Sequence, residues 1–213
     1  LFAWRAPKAS LGGGFDWISR ESFLLTNSVM LVVATAAVLL GTVYPLIIDA
    51  LNLGKLSVGP PYFNAVFVPL LLPVLFLMVP GSVARWREAQ AVQLMRKLRW
   101  PAGLAVSVAV ATALWTGNTA LGSFFGVLLG CWVAFGTLQL VIERVRKPGR
   151  IGASFWGQHT AHFGLAVVVL GITGVSSYQV ERDVRMAVGD QVTIAPYTFT
   201  LERLDEVSGP NYK

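Results

Sequence analysis

Charged residues fall along this chain in clusters separated by long gaps, and the gaps predict the architecture. No Asp, Glu, Lys or Arg occurs between Glu21 and Asp49, or between Lys55 and Arg85. A helix needs about 20 predominantly apolar residues to cross the hydrocarbon core of a bilayer, so each gap accommodates one span. The gap from Arg99 to Glu143 is too long for a single helix. It is interrupted by Gly117-Asn118-Thr119-Ala120-Leu121-Gly122-Ser123, turn-forming residues that suit a tight reversal, and therefore holds two spans, the first of them short. The gap between Arg150 and Glu181 holds a fifth. The predicted spans are about 22–48, 57–84, 101–117, 121–142 and 154–177, with residues 1–21 as the cytoplasmic end of a preceding segment and 22–180 as the transmembrane bundle.

After the fifth span the period changes. From Val184 to Leu204 apolar and polar residues alternate around Gly189-Asp190, with a second break at Pro196. Period-two alternation bounded by turn residues predicts strands. Two or three strands are not stable alone in water, so residues 181–213 read as the start of a small β domain, completed by residues beyond Lys213 or by a partner. The fold class is thus an α-helical polytopic membrane protein of about five transmembrane helices, followed by the start of a small β domain.

Composition agrees: 13% of residues are charged and 54% apolar, against roughly 25% charged in soluble domains. The net charge of +6 is mostly topology. Arg85, Arg87, Arg96, Lys97 and Arg99 in one loop, and Arg144, Arg146, Lys147 and Arg150 in another, would share a side with Arg5, Lys8 and Arg20. Asp49 to Lys55 and Thr116 to Ser123, on the other side, contain only Lys55 as a cation. Cytoplasmic loops hold Lys and Arg in excess, which places the N-terminal end in the cytoplasm and the C-terminal tail outside it. Basic residues spread between spans do not make the single folded surface that nucleic acid requires, so that partner is excluded and membrane lipid is implied. Cys131 is the only cysteine, which rules out a disulfide framework or a Cys-x-x-Cys-His haem attachment site within the chain. Leu1 is not an initiator Met, and the chain reads as an internal fragment of something longer.

The candidate chemistry lies in the fifth span. His159 and His162, in Gln158-His159-Thr160-Ala161-His162-Phe163-Gly164, are the only histidines, and an ionisable side chain inside a membrane is costly without a partner. Three residues apart on a helix, they share a face, and Ala166 one turn on is small enough to leave room beside His162. Each could hydrogen-bond to a neighbouring helix. A Zn or Cu site lacks the further ligands to complete its shell. Axial ligation of haem needs one imidazole from this helix. Spacing alone does not choose among these.

Five motifs taken in order carry a resemblance: Ser19-Arg20-Glu21-Ser22; Gly54-Lys55-Leu56-Ser57-Val58-Gly59-Pro60-Pro61-Tyr62-Phe63-Asn64; Ala161-His162-Phe163-Gly164; Val180-Glu181-Arg182-Asp183; and Gly209-Pro210-Asn211-Tyr212. Together they resemble the C-terminal part of the CcmF family, the haem lyase subunits of the system I cytochrome c maturation pathway. A relative dedicated to formate-dependent nitrite reductase would look similar. The resemblance implies a bacterial inner-membrane location and makes His162 an axial ligand of a membrane-embedded haem b. His159 has no assigned counterpart; it is expected to be a hydrogen-bond donor beside the ligand or only a polar contact, and no residue is given a catalytic role. The resemblance further implies that haem b reduces haem delivered by a covalent haem chaperone, with quinol as electron donor, during thioether attachment to apocytochrome c. Other cytochrome c maturation subunits are the implied partners. The family's tryptophan-rich segment, its flanking histidines and the opposite haem b ligand are not in this sequence, so this chain alone is not expected to be a competent lyase.

Other features carry structural expectations. Gly126-x-x-x-Gly130 suits a close helix contact. Pro69, Pro73 and Pro80 would kink the second span, where a quinone pocket could form. Arg20 and Glu21 suit an interfacial ion pair at the mouth of the first span. Most of the seven tryptophans sit near span ends, as an aromatic belt would. Glu181, Arg182, Asp183 and Arg185 link the last helix to the β domain. A proton-coupled or substrate transporter segment is the rival reading for the histidines, and a purely structural assembly subunit is a third.

Overall fold

The structure is a computed structural model that describes residues 14, 16–194 and 196–205. Arg5, Lys8, Trp4 and the Gly209–Tyr212 motif lie outside the described residues. Five helices follow one another: α1 (Arg20–Ala50), α2 (Pro60–Val83), α3 (Ala91–Thr116), α4 (Leu121–Val145) and α5 (Ala153–Tyr178). All five are long and apolar enough to cross a membrane. Strands β1 (Gln191–Ile194) and β2 (Tyr197–Thr200) then form an antiparallel hairpin. The chain divides into two compact units between Thr173 and Gly174.

Four helices fall within a few residues of the predicted spans, and α3 does not. It begins at Ala91, so Arg96, Lys97 and Arg99 stand on the helix itself rather than in a loop. Basic side chains had been read as the end of the hydrophobic span, but nothing in their backbone chemistry breaks a helix, and Lys and Arg are good helix formers. Gly117, at φ +67, ends α3 where the turn-forming stretch predicted it.

Neighbouring helices contact at close-packed points. In α1 and α2, Gly41 lies against Tyr62 and Gly81 against Phe23, with a Cβ at Gly81 3.2 Å from Phe23 Cβ. The Tyr62 hydroxyl donates to the Ala37 carbonyl across 3.0 Å. In α4 and α5, the expected glycine contact is present. A Cβ at Gly130 would stand 2.7 Å from Leu170 Cδ2, and one at Gly126 would meet the Thr173 side chain. These pairings run antiparallel and bring the basic ends of α2, α3 and α4 to the side from which α1 and α5 start. The core of this unit gathers Leu75 and Val79 of α2, Ala105 of α3, Leu129, Trp132 and Val133 of α4, and Ala166 and Val169 of α5.

Prolines inside helices set a second pattern. Pro45, Pro69, Pro73, Pro80 and Pro101 all lie within α1, α2 or α3. A helical proline has no N–H, so the carbonyl four residues earlier loses its donor, and lipid cannot replace it. Pro80 releases the Phe76 carbonyl, which accepts from Trp132 Nε1–H at 3.0 Å. Pro101 releases the Lys97 carbonyl, which accepts from Gln139 Nε2–H at 3.1 Å. Both donors stand on α4. Trp132 is 7% exposed and stacks on Phe76 at 6.1 Å, which sets it apart from Trp17, Trp86 and Trp115, exposed near helix ends, and from Trp100, exposed along α3.

Arg20 and Glu21 pair with the connection between α2 and α3 rather than with each other. The Arg20 guanidinium lies 5.0 Å over the Trp86 ring. Glu21 Oε2 accepts from the Arg87 backbone N–H at 2.8 Å, and Arg87 holds a left-handed φ of +65. The Ser19 hydroxyl caps α1 by accepting from the Ser22 N–H.

In the second unit, the Pro196 break becomes the hairpin turn, with Ile194 opposite Tyr197. Gly189, at φ +98, donates to the Leu201 carbonyl and starts the strands. Residues 184–188, predicted to alternate as a strand, form none, because the Asp190 carboxylate accepts from the Ala187 N–H and closes a turn there.

Candidate functional site

His159 and His162 stand in the N-terminal half of α5, on the face that also carries Ala166, Val169 and Thr173. They are not equivalent. His159 is 6% exposed, and its Nδ1 lies 2.8 Å from the Phe155 carbonyl oxygen one turn back. A carbonyl only accepts, so Nδ1 carries the proton, and in the neutral ring Nε2 presents a lone pair. That Nε2 is buried and has no hydrogen-bond partner among the described residues. The Phe155 ring stacks on His159 at 3.9 Å and 29°, holding it in place.

His162 is half-buried. Its ring centre lies 6.4 Å from that of His159, tilted by 42°, and among the described residues it makes no hydrogen bond. The structure thus brings the two predicted site residues together on one face and leaves His162 uncommitted to protein. The room expected beside Ala166 is taken by α4, since Ala166 is fully buried and its carbonyl faces Gly130.

Among the described residues no three His, Cys, Asp or Glu side chains gather to hold a metal ion, and Cys131 is buried in the α4 core. An axial haem ligand asks less of this helix: one imidazole with a free nitrogen, apolar surroundings, and a second ligand from elsewhere. His162 fits that requirement.

Sequence reasoning missed the role of Phe155. The spacing of Phe155 and His159, one turn apart, was the available signal, because that spacing lets a histidine Nδ1–H reach back to a carbonyl of the preceding turn. A cavity of about 420 Å³ lies between α1 and α2, lined by Leu31, Ala34, Thr35, Val38, Leu39, Thr42 and Phe67. Its two hydroxyls, on Thr35 and Thr42, donate to the Leu31 and Val38 carbonyls of their own helix.

The family described as CcmF C-terminal beta-sandwich matches residues 177–213. The cytochrome c-type biogenesis protein CcmF of Pseudomonas aeruginosa is 37% identical over 100% of this chain. Over its whole length the chain is similar to CcmF. The cytochrome c-type biogenesis protein ccl1 of Rhodobacter capsulatus is 39% identical, again over 100% of the chain. A solved structure of cytochrome c haem lyase CcmF superposes with a TM-score of 0.64 at 27% identity, covering 85% of this chain and 29% of that one. The chain spans 33% of the length of each of these two curated CcmF-type relatives. With five apolar helices and the first hairpin of the matched β-sandwich, it is a multi-pass membrane protein with the CcmF fold in this region.

Proposed function

We propose that this chain is the part of a cytochrome c biogenesis haem lyase that holds a membrane haem b through His162. The observation that carries the reading is the half-buried imidazole of His162, set in an apolar helix with no hydrogen-bond partner among the described residues. An intramembrane imidazole in that state is expensive unless something ligates it, and the relatives are cytochrome c biogenesis proteins.

In this reading His162 would hold the haem through one imidazole nitrogen, with further ligation from outside the chain. Haem b, when bound, supplies a one-electron relay from a quinol donor to the haem being attached. In this role His162 itself moves no proton. The haem arrives on a covalent haem chaperone and leaves on apocytochrome c, with other maturation subunits as partners. The basic ends of α2, α3 and α4 face the cytoplasm and the β unit lies in the periplasm of a bacterial inner-membrane protein.

The test is haem content of the full-length protein in detergent. His162→Ala should lose the bis-imidazole absorbance of haem b, oxidised and reduced, while the protein still inserts and purifies. Unchanged haem absorbance in that variant would reject His162 as the ligand.

A further inference from the structure

The buried lone pair of His159 has no place in the reading above, and the chemistry of its ring restricts what it can do. The Nδ1–H is committed to the Phe155 carbonyl at 2.8 Å. The stacked Phe155 ring at 3.9 Å opposes rotation that would exchange the two nitrogens. What remains is a fixed, buried acceptor with nothing to accept from. An acceptor left bare in a low-dielectric interior costs free energy comparable to a lost hydrogen bond, so the fold holds it there for a donor that arrives later.

His162 is the nearest ring donor on the same face. An imidazole that ligates a metal through one nitrogen carries the proton on the other, and that N–H is almost always held by an acceptor, which fixes the ring and raises its basicity. Among the described residues His162 has no such acceptor. The two rings, 6.4 Å apart between centres, are too distant for a direct N–H···N bond, but no hydrogen bond among the described residues fixes the His162 ring, whereas His159 is held by the Phe155 carbonyl.

We propose that His159 is the positioning residue for the haem ligand: its Nε2 accepts the Nδ1–H of His162 when His162 Nε2 ligates iron. This rests on the His162 reading. It reverses the donor role expected from the sequence: His159 acts as an acceptor toward His162, and as a donor only toward its own helix. The consequence is electronic. Acceptance of the Nδ1 proton makes the ligand more electron-donating, stabilises ferric over ferrous iron, and lowers the midpoint potential of the haem.

The test uses the full-length haem-loaded protein in detergent, with haem content and midpoint potential both measured. His159→Leu removes the acceptor while keeping an apolar side chain of similar bulk. It should retain haem and raise the potential, with about a tenfold change in the ferric–ferrous equilibrium, or about 59 mV for one electron. His159→Gln restores an acceptor oxygen and should bring the potential back toward that of the parent. Nitrogen-15 spectra of histidine-labelled, haem-free protein should show one imidazole protonated on Nδ1 with a bare Nε2, and that signal should vanish in His159→Leu. A parent-like potential in His159→Leu overturns the proposal. Haem lost from His159→Leu but retained in His162→Ala also overturns it, by making His159 the ligand. Haem unaffected by His162→Ala and with an unchanged potential in His159→Leu rejects the functional reading and the positioning role together.

Discussion

At the scale of single residues, the sharpest constraint in the helical unit is that two proline-freed carbonyls each meet one donor. Trp132 and Gln139 act less as core or surface residues than as substitutes for the N–H groups that Pro80 and Pro101 lack. Trp132→Phe should therefore cost about 1 kcal/mol, the usual net value of such a bond. In a Pro80→Ala background the helix regains its own N–H to the Phe76 carbonyl, and the same substitution should cost less. A double-mutant cycle on thermal unfolding in detergent measures the difference; additive effects would show the tryptophan to act by packing alone. The sequence displayed both prolines and both donors, but nothing in it paired them, because the pairing is a matter of helix register. The histidines were legible for the opposite reason. Two imidazoles in a charge-free span stand out by cost alone, whereas the distinction between a fixed His159 and a free His162 depends on Phe155 one turn away.

Helix existence was readable and helix ends were not, for a physical reason. Spans were counted from gaps between charges, and that criterion finds the stretch that fits in lipid. A helix obeys its own backbone chemistry and continues past the hydrocarbon edge, as α3 does from Ala91 through three basic residues before Pro101. The contact between α4 and α5 was also foreseeable from Gly126 and Gly130, and the structure gives it content, since a side chain at either position runs into Thr173 or Leu170. Gly130→Val should force α4 and α5 apart and destabilise the unit by about 1–3 kcal/mol, the common range for overpacking. Gly103, whose Cβ would meet nothing within 4 Å, is the control, and Gly103→Val on α3 should leave the melting temperature close to that of the parent. Equal losses at both positions would mean that the glycines matter through helix propensity and not through contact.

For the molecule as a whole, the charge asymmetry and the antiparallel helix order agree on one sidedness. Lys55, between α1 and α2, and Arg146, at the end of α4, lie on opposite sides in that arrangement. Lys55→Cys should react with a membrane-impermeant maleimide added from the periplasmic side, and Arg146→Cys only after the membrane is opened. Cys131, 7% exposed in the core, should stay silent in both. Reversed labelling would invert the topology and with it the side from which the β unit meets its partners. The capping of α2 and α3 by α4 has a further consequence, in time rather than in space. A chain is made from its N-terminus, so the Phe76 carbonyl enters the membrane before Trp132 has been synthesised. Until the fourth span follows, the second carries an open polar point that lipid does not satisfy. The nascent bundle is therefore least satisfied between those two moments.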